Sequence, residues 1–251
     1  MSLRPGDYVS PNLETIFLDD AFPNLASGPP DSPPWGRLEL GVREGLSHAW
    51  YCHASLEKIG YANRDEVILM YNASKIFNHG VGLEIGCYYA WTTAHFARNF
   101  SCFEVVDPIL GTDRKEEIVA SLRAADVLQN CRLHAGISPG IPIEIARRNG
   151  ERPRWSFALL DGDHGYPAPL VDTVAVERYM LPESIIVFHD IYCPAVGEGL
   201  DYLKWKGWKT RACQTSNGVG FAWRGSKEPP AHHPDPKVDW QLPAHLASHV
   251  D

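Results

Sequence analysis

Val81-Gly-Leu-Glu-Ile-Gly-Cys-Tyr-Tyr-Ala-Trp-Thr-Thr-Ala-His-Phe-Ala97 is the stretch whose reading decides the fold. A short apolar run ends at Glu84 and Gly86, and from Thr92 to Arg98 the apolar spacing becomes helical, so the stretch reads as strand, tight glycine turn and helix N-terminus. Backbone N–H groups at a helix start attract a carboxylate or phosphate, and a glycine in the turn lets a ligand approach the main chain. Taken alone, the stretch has a second reading, a strand-to-helix turn whose glycine serves conformation only. The segments downstream choose between the two.

Cys102 to Val106 is a β-rich run stopped by Asp107-Pro108, Glu116 to Leu128 has helical composition, and Cys131 to Ala135 is a short strand before the loop at Gly136 to Pro142. Ile143 to Arg148 reads as helix, Trp155 to Leu160 as a buried strand ending at Asp161-Gly-Asp-His164, and Val171 to Met180 as helix. Ser184 to Phe188 is the next strand, ending at His189-Asp190, and a helix from Leu200 to Trp205 follows. Lys209 to Thr215 and Val219 to Trp223 are two strands joined by Ser216-Asn217-Gly218, a turn suited to a hairpin. Strands alternating with helices of this length imply an α/β fold, a Rossmann-like doubly wound sheet, mostly parallel, with ligands at the carboxyl ends of the strands.

Upstream, residues 1 to about 36 are rich in Pro, Asp and Gly and are read as an extended arm or lid. Apolar spacing suits helices from Leu46 to Ile59 and from Arg64 to Phe77. Beyond Gly225 the chain is rich in Pro and His without a regular period, a mobile or draped tail in which His232, His233, His245 and His249 are expected to be solvated. The expected organisation is an arm and helix over 1–60, the main domain over 61–225 and a tail over 226–251.

The 251 residues give room for one sizeable α/β domain with additions. With 23 basic against 31 acidic residues the net charge is -8, which argues against nucleic acid or an anionic membrane and leaves a small molecule as the partner. No apolar run approaches the roughly 20 residues of a membrane helix, and residues 1 to 20 lack a basic-then-apolar pattern, so a cytoplasmic protein is expected. Six cysteines without a C-x-x-C pairing suit reduced thiols in that compartment.

Four strand ends thus carry polar groups to one rim: Glu84 with Gly86, Asp107, Asp161 with Asp163 and His164, and His189 with Asp190. Asp107 stands 23 positions after Glu84, the spacing a β-α-β unit needs to place an acid beside a ribose held at the glycine turn. A paired or solvated strand-end acid is the alternative. Three carboxylates at one rim, Asp161, Asp163 and Asp190, repel, so one of them keeps its proton or a cation sits among them.

In order, Leu83-Glu-Ile-Gly-Cys-Tyr-Tyr-Ala-Trp-Thr92, Val105-Val-Asp-Pro108, Leu160-Asp-Gly-Asp-His-Gly-Tyr166 and Ile186-Val-Phe-His-Asp190 resemble the motifs of class I S-adenosylmethionine-dependent methyltransferases, over roughly residues 64 to 224. The resemblance is to the branch of small-molecule and sugar O-methyltransferases with E-I-G-x-x-x-G-x-[ST], V-D-P, D-G-D-H-x-Y and V-x-H-D, from which Ala90 departs by replacing a glycine. It implies the seven-stranded fold of that family with its C-terminal antiparallel hairpin. It further implies S-adenosylmethionine held by Gly86 and its neighbours Glu84, Cys87, Tyr88 and Thr92, by Asp161, by Asp107 at the ribose and by Gly136 to Ser138 at the adenine. A divalent metal is implied at Asp161, His189 and Asp190, Mg2+ by family, with Mn2+ or Fe2+ favoured by the imidazole. Without a metal, Asp161 would meet Arg or Lys and His189 would be a satisfied core histidine.

The activity implied is metal-assisted O-methylation of a small hydroxylated natural product or sugar, with Asp163 or His164 as base. His164 equally suits capping the following helix. Tyr88, Tyr89, Trp91, Tyr166 and Tyr192 are read either as walls of the acceptor pocket or as packing. The arm before residue 60 and the loops at 108–115 and 191–199 are expected to build the rest of that pocket, and arm and tail to support a homodimer. Two competing classes are a member of the fold that binds the same cofactor and metal but performs another reaction, and a noncatalytic binding subunit.

Overall fold

The strands along this chain put apolar side chains on both faces, which is the pattern of a sheet covered twice. The computed structural model describes residues 3–28, 48–55 and 60–249. Its elements in chain order are β1 (Leu25–Gly28), β2 (Trp50–His53), β3 (Gly60–Tyr61), α1 (Arg64–Ile76), β4 (Val81–Ile85), α2 (Trp91–Ala97), β5 (Phe103–Asp107) and α3 (Lys115–Ala124). They continue as β6 (Cys131–Ala135), α4 (Gly140–Arg148), β7 (Trp155–Leu160), α5 (Ala168–Glu177), β8 (Met180–Phe188), α6 (Pro194–Trp205), β9 (Lys209–Cys213) and β10 (Val219–Arg224).

Seven strands form the main sheet in the order β6-β5-β4-β7-β8-β10-β9. β4 to β8 are mutually parallel, while β10 runs antiparallel to both β8 and β9. This is the expected mostly parallel, doubly wound sheet with a C-terminal hairpin. Alternate residues divide between two cores: Phe103, Val105, Phe157, Leu159 and Val187 pack under α1 to α3, whereas Val106, Ala158, Leu160, Ile186 and Phe188 pack under α4 to α6. From β4 the chain proceeds outward to β5 and β6, then crosses back to β7 on the other side, so strand order reverses between β4 and β7. A crevice at the carboxyl ends of these two strands follows from that reversal.

Two expectations are corrected here. The helix read over Leu46 to Ile59 is, where described, the strand β2, paired antiparallel with β1 and β3; its ends at 46–47 and 56–59 lie outside the described residues. Trp50, Tyr51 and Cys52 suit a strand as well as a helix, and pairing with Leu25 to Gly28 settles the choice. The small sheet therefore runs across the expected boundary at residue 60. For His232 and His249 the expected solvation is the second correction, whereas His233 is exposed as expected. His232 lies 2.9 Å from Asp65 with both side chains buried, and His249, also buried, meets Asp201 and Thr210 at 2.9 and 2.8 Å. Together with His48 on Asp235 at 3.0 Å, these contacts drape the tail over α1 and the arm of the same chain. The described parts of arm and tail thus pack within one chain. Among the described residues no helix is long and apolar enough to cross a membrane.

Arg64, 1 % exposed, fastens the arm to the body. Its guanidinium donates to both oxygens of Asp19 at 3.0 and 2.7 Å and to the Tyr51 hydroxyl at 2.9 Å, and it lies over the Tyr51 and Trp91 rings. Arg64→Ala leaves Asp19 to the partly exposed Arg4 alone, 3.0 Å away, so urea unfolding is expected to show a loss of about 3 kcal/mol, the low end for a broken buried ion pair.

Candidate functional site

The glycine turn after β4 is held from two sides. Gly86 takes φ +85°, and a Cβ there would fall 2.0 Å from the Asp161 carbonyl oxygen, so only glycine lets β4 and β7 end this close together. Opposite, Asp107 at the end of β5 accepts from the Cys87 and Tyr88 N–H groups at 2.8 and 3.0 Å and from the Ile109 N–H at 2.8 Å. Tyr88 and Ala90 both adopt positive φ, 49° and 65°. Ala90 thus occupies the left-handed position a glycine takes more readily, and its N–H reaches the Cys87 carbonyl at 2.6 Å, so the turn keeps its course.

Glu84 sits beneath the turn rather than in it. It points into the core where neighbouring strands carry Val or Leu, is fully buried, and receives the Thr92 hydroxyl at 2.7 Å and that of Thr93. Burial pushes its carboxyl up to about 8 against the two threonine hydrogen bonds.

At the ends of β7 and β8 the acids and histidines converge. His189 is 4 % exposed; its Nδ1 lies 3.3 Å from both Asp161 Oδ1 and Asp190 Oδ2, and its Nε2 lies 3.0 Å from Glu66 Oε2. Burial opposes a charge on this imidazole, but Asp190, Asp161 and Glu66 outweigh it and hold the proton well above the ordinary histidine range. Glu66, at the third position of α1, is the unexpected member. Sealed from water, it also accepts from the Asn63 N–H, the Thr215 hydroxyl, and the Asn217 N–H and side-chain amide. Burial would raise its carboxyl, yet His189 and the N–H groups of Asn63 and Asn217 bring it down to about 2. The Asn63-x-x-Glu66 capping pattern was the sequence signal for it.

The three expected metal ligands, Asp161, His189 and Asp190, are therefore brought together. His164 joins them: its Nε2 lies 3.5 Å from Asp161 Oδ1 and 3.3 Å from Asp190 Oδ2, and these acids raise the imidazole's pKa above the ordinary histidine value, Asp161 first. Ligand atoms of Asp161, His164 and Asp190 all lie within 4.8 Å of one another. Two carboxylate oxygens and an imidazole nitrogen this close together make a donor set that fits a divalent ion. Asp190 holds its place at φ 60°, a left-handed conformation that Asp tolerates.

These groups share a pocket of about 690 Å3. Of the sequence candidates, Gly86, Tyr88, Thr92, Asp107, Gly136 and Ser138 line it, as do Asp161, Asp163, His164, His189 and Asp190. Glu84 and Cys87 do not; they act from behind, Cys87 through its N–H to Asp107. Of the aromatic candidates Tyr88 and Tyr192 reach the pocket, whereas Tyr89 stacks on His53 at 4.0 Å, Trp91 stacks on Tyr51 at 5.0 Å, and Tyr166 is exposed. Pro108, Ile109 and Cys193 come from the loops expected to build the acceptor side. Tyr61, Asp172 and Asn217 were not foreseen, since no local pattern marks a pocket wall.

No protein-family model and no curated protein matches this sequence. Solved structures do. An O-methyltransferase from Bacillus cereus in complex with SAH is 12 % identical, with 63 % of this chain and 80 % of that chain covered at a TM-score of 0.54. An O-methyltransferase of tomaymycin synthesis from Streptomyces achromogenes, in complex with SAM, is 13 % identical over 66 % of this chain and 82 % of that one, TM-score 0.56. Precorrin 8w decarboxylase from Methanobacterium thermoautotrophicum is 15 % identical over 67 % and 93 %, TM-score 0.52. The fold is thus the one these enzymes share.

Glu84 gives the site a stability signature. Its carboxyl titrates near 4.5 when exposed and near 8 in the folded chain. Between those values the folded state holds a proton that the unfolded state lacks, so stability falls as pH rises, by up to about 1.4 kcal/mol per pH unit. Glu84→Gln is expected to remove this slope. Urea unfolding at several pH values between 5 and 8 checks it, and equal slopes in both proteins would contradict it.

Proposed function

We propose that this protein transfers a methyl group from S-adenosylmethionine to a hydroxyl oxygen of a small molecule, with a divalent metal held by Asp161, His189 and Asp190. One observation carries the reading: the Gly86 turn, Asp107, the Gly136 to Ser138 loop and the acid rim open into one pocket of about 690 Å3. That the fold neighbours include methyltransferases with SAM or SAH supports it.

The Gly86 turn receives the methionine part, Asp107 the ribose hydroxyls, and Gly136 to Ser138 the adenine. Three backbone N–H groups already occupy Asp107, but a carboxylate has about four acceptor positions, which leaves room for a further donor. The sulfonium makes its methyl electrophilic, so the chain has to align the acceptor and accept a proton. An acceptor oxygen lone pair forms the new C–O bond as the S–CH3 bond breaks, its electrons going to sulfur and leaving S-adenosylhomocysteine. Asp163 and His164, both in the pocket wall, are the candidates for taking the hydroxyl proton. When bound, the metal lowers the pKa of the acceptor hydroxyl and fixes its position. Tyr61 and Tyr192, both in the pocket wall, help to exclude water.

A second reading keeps the cofactor and changes the reaction, as the precorrin 8w decarboxylase neighbour illustrates for this fold. Release of S-adenosylhomocysteine during turnover separates the two. For cofactor binding, calorimetric titration with S-adenosylhomocysteine is expected to show Asp107→Ala binding about 10–100-fold more weakly than the parent, the loss of one hydrogen bond to a charged acceptor. Absence of binding by the parent protein would overturn the methyl-transfer reading.

A further inference from the structure

Two side chains at the acid rim stand outside the ligand set named so far, His164 and Glu66. Building on the proposed function, we infer that Asp161, His164, His189 and Asp190 form a two-nitrogen, two-oxygen centre selective for a divalent transition-metal ion over Mg2+, and that Glu66 is its positioning residue.

The orientation of His189 is fixed from behind. Nε2 faces Glu66 at 3.0 Å, which leaves Nδ1 as the ring atom facing Asp161 and Asp190, 3.3 Å from each. A carboxylate on the far nitrogen sets the tautomer and aims the other nitrogen's lone pair, the arrangement that supports a metal-bound imidazole. Glu66 itself is held, because Asn63, Thr215 and Asn217 together donate four hydrogen bonds to it. A carboxylate sealed in the core behind the pocket, in contact with a pocket histidine, is placed to orient that histidine and is out of reach of any ligand.

His164 approaches the same point from the opposite loop. Its Nε2 lies 3.5 Å from Asp161 Oδ1 and 3.3 Å from Asp190 Oδ2, the same two oxygens that His189 Nδ1 approaches. An ion held between these oxygens would take donors from the ends of both β7 and β8. Magnesium prefers oxygen donors and retains water, whereas imidazole suits Zn2+, Fe2+ and Mn2+, so two nitrogens shift the preference to the latter. With His164 on the ion, Asp163 is the residue left to take the acceptor's proton.

The test uses the full chain with Mn2+ as probe. Paramagnetic resonance is expected to show bound Mn2+ with imidazole nitrogen couplings, and displacement by equimolar Zn2+ but not by about a hundredfold excess of Mg2+. His164→Ala should remove part of the nitrogen coupling and weaken Mn2+ binding about tenfold or more, and Glu66→Gln should weaken it about 10–100-fold while S-adenosylhomocysteine still binds. Because Glu66 also caps α1, His164→Ala, on an outer loop, decides the matter if Glu66→Gln fails to fold. Bound Mn2+ without nitrogen coupling, easy displacement by Mg2+, or unchanged binding in His164→Ala would overturn the inference. S-adenosylhomocysteine binding with no Mn2+ binding sinks the metal centre alone; no S-adenosylhomocysteine binding at all sinks the methyl-transfer reading beneath it.

Discussion

The contact between Glu66 and His189 joins three parts of the chain that are far apart in sequence: the first turn of α1, the end of β8 and the hairpin turn at Thr215 to Asn217. A carboxylate without access to water is tolerated only when its charge and lone pairs are met, and here five donors meet them. Removing any of the three segments would strand the others' polar groups. The imidazole is therefore fixed in place and in orientation, which is what a binding pocket requires of a side chain in its wall.

The same economy governs the rest of the rim. Asp107 clamps the glycine turn through backbone N–H groups, and Gly86 admits the Asp161 carbonyl at a distance no other residue allows. Positive φ values gather here, at Gly86, Tyr88, Ala90, Gly136, Asp190 and Gly218. Such conformations cost energy in non-glycine residues and persist where the surroundings overdetermine them, as two covered cores on a seven-stranded sheet do. Rigid strands thus deliver strained turns to one edge, and the chemistry gathers at that edge.

Away from the rim, a buried ion pair and two buried histidine–carboxylate contacts close the molecule. Arg64 draws in the arm through Asp19, and His232 and His48 draw in the tail and arm through Asp65 and Asp235. Both α1 acids, Asp65 and Glu66, and the preceding Arg64 are buried, so one short stretch of charged residues organises the arm, the tail and the pocket wall. Read along the chain, Arg64-Asp-Glu66 looks like the polar start of an ordinary helix.

The sequence by itself determined the sheet and its rim. β6 and β7 fall on the runs read for them, because alternation of apolar residues on two faces is a local pattern, and the polar residues that end β4, β5, β7 and β8 needed only that parallel strands end on the same side. The tertiary structure alone decided the rest: that 50–53 is a strand, that the His232 and His249 side chains are buried, that Glu84 and Cys87 act from behind the pocket, and that Glu66 faces His189. Each of these depends on a partner between 22 and 167 positions away or on which side of the sheet a residue faces its neighbours, and a pairing over that distance leaves no periodicity in either segment.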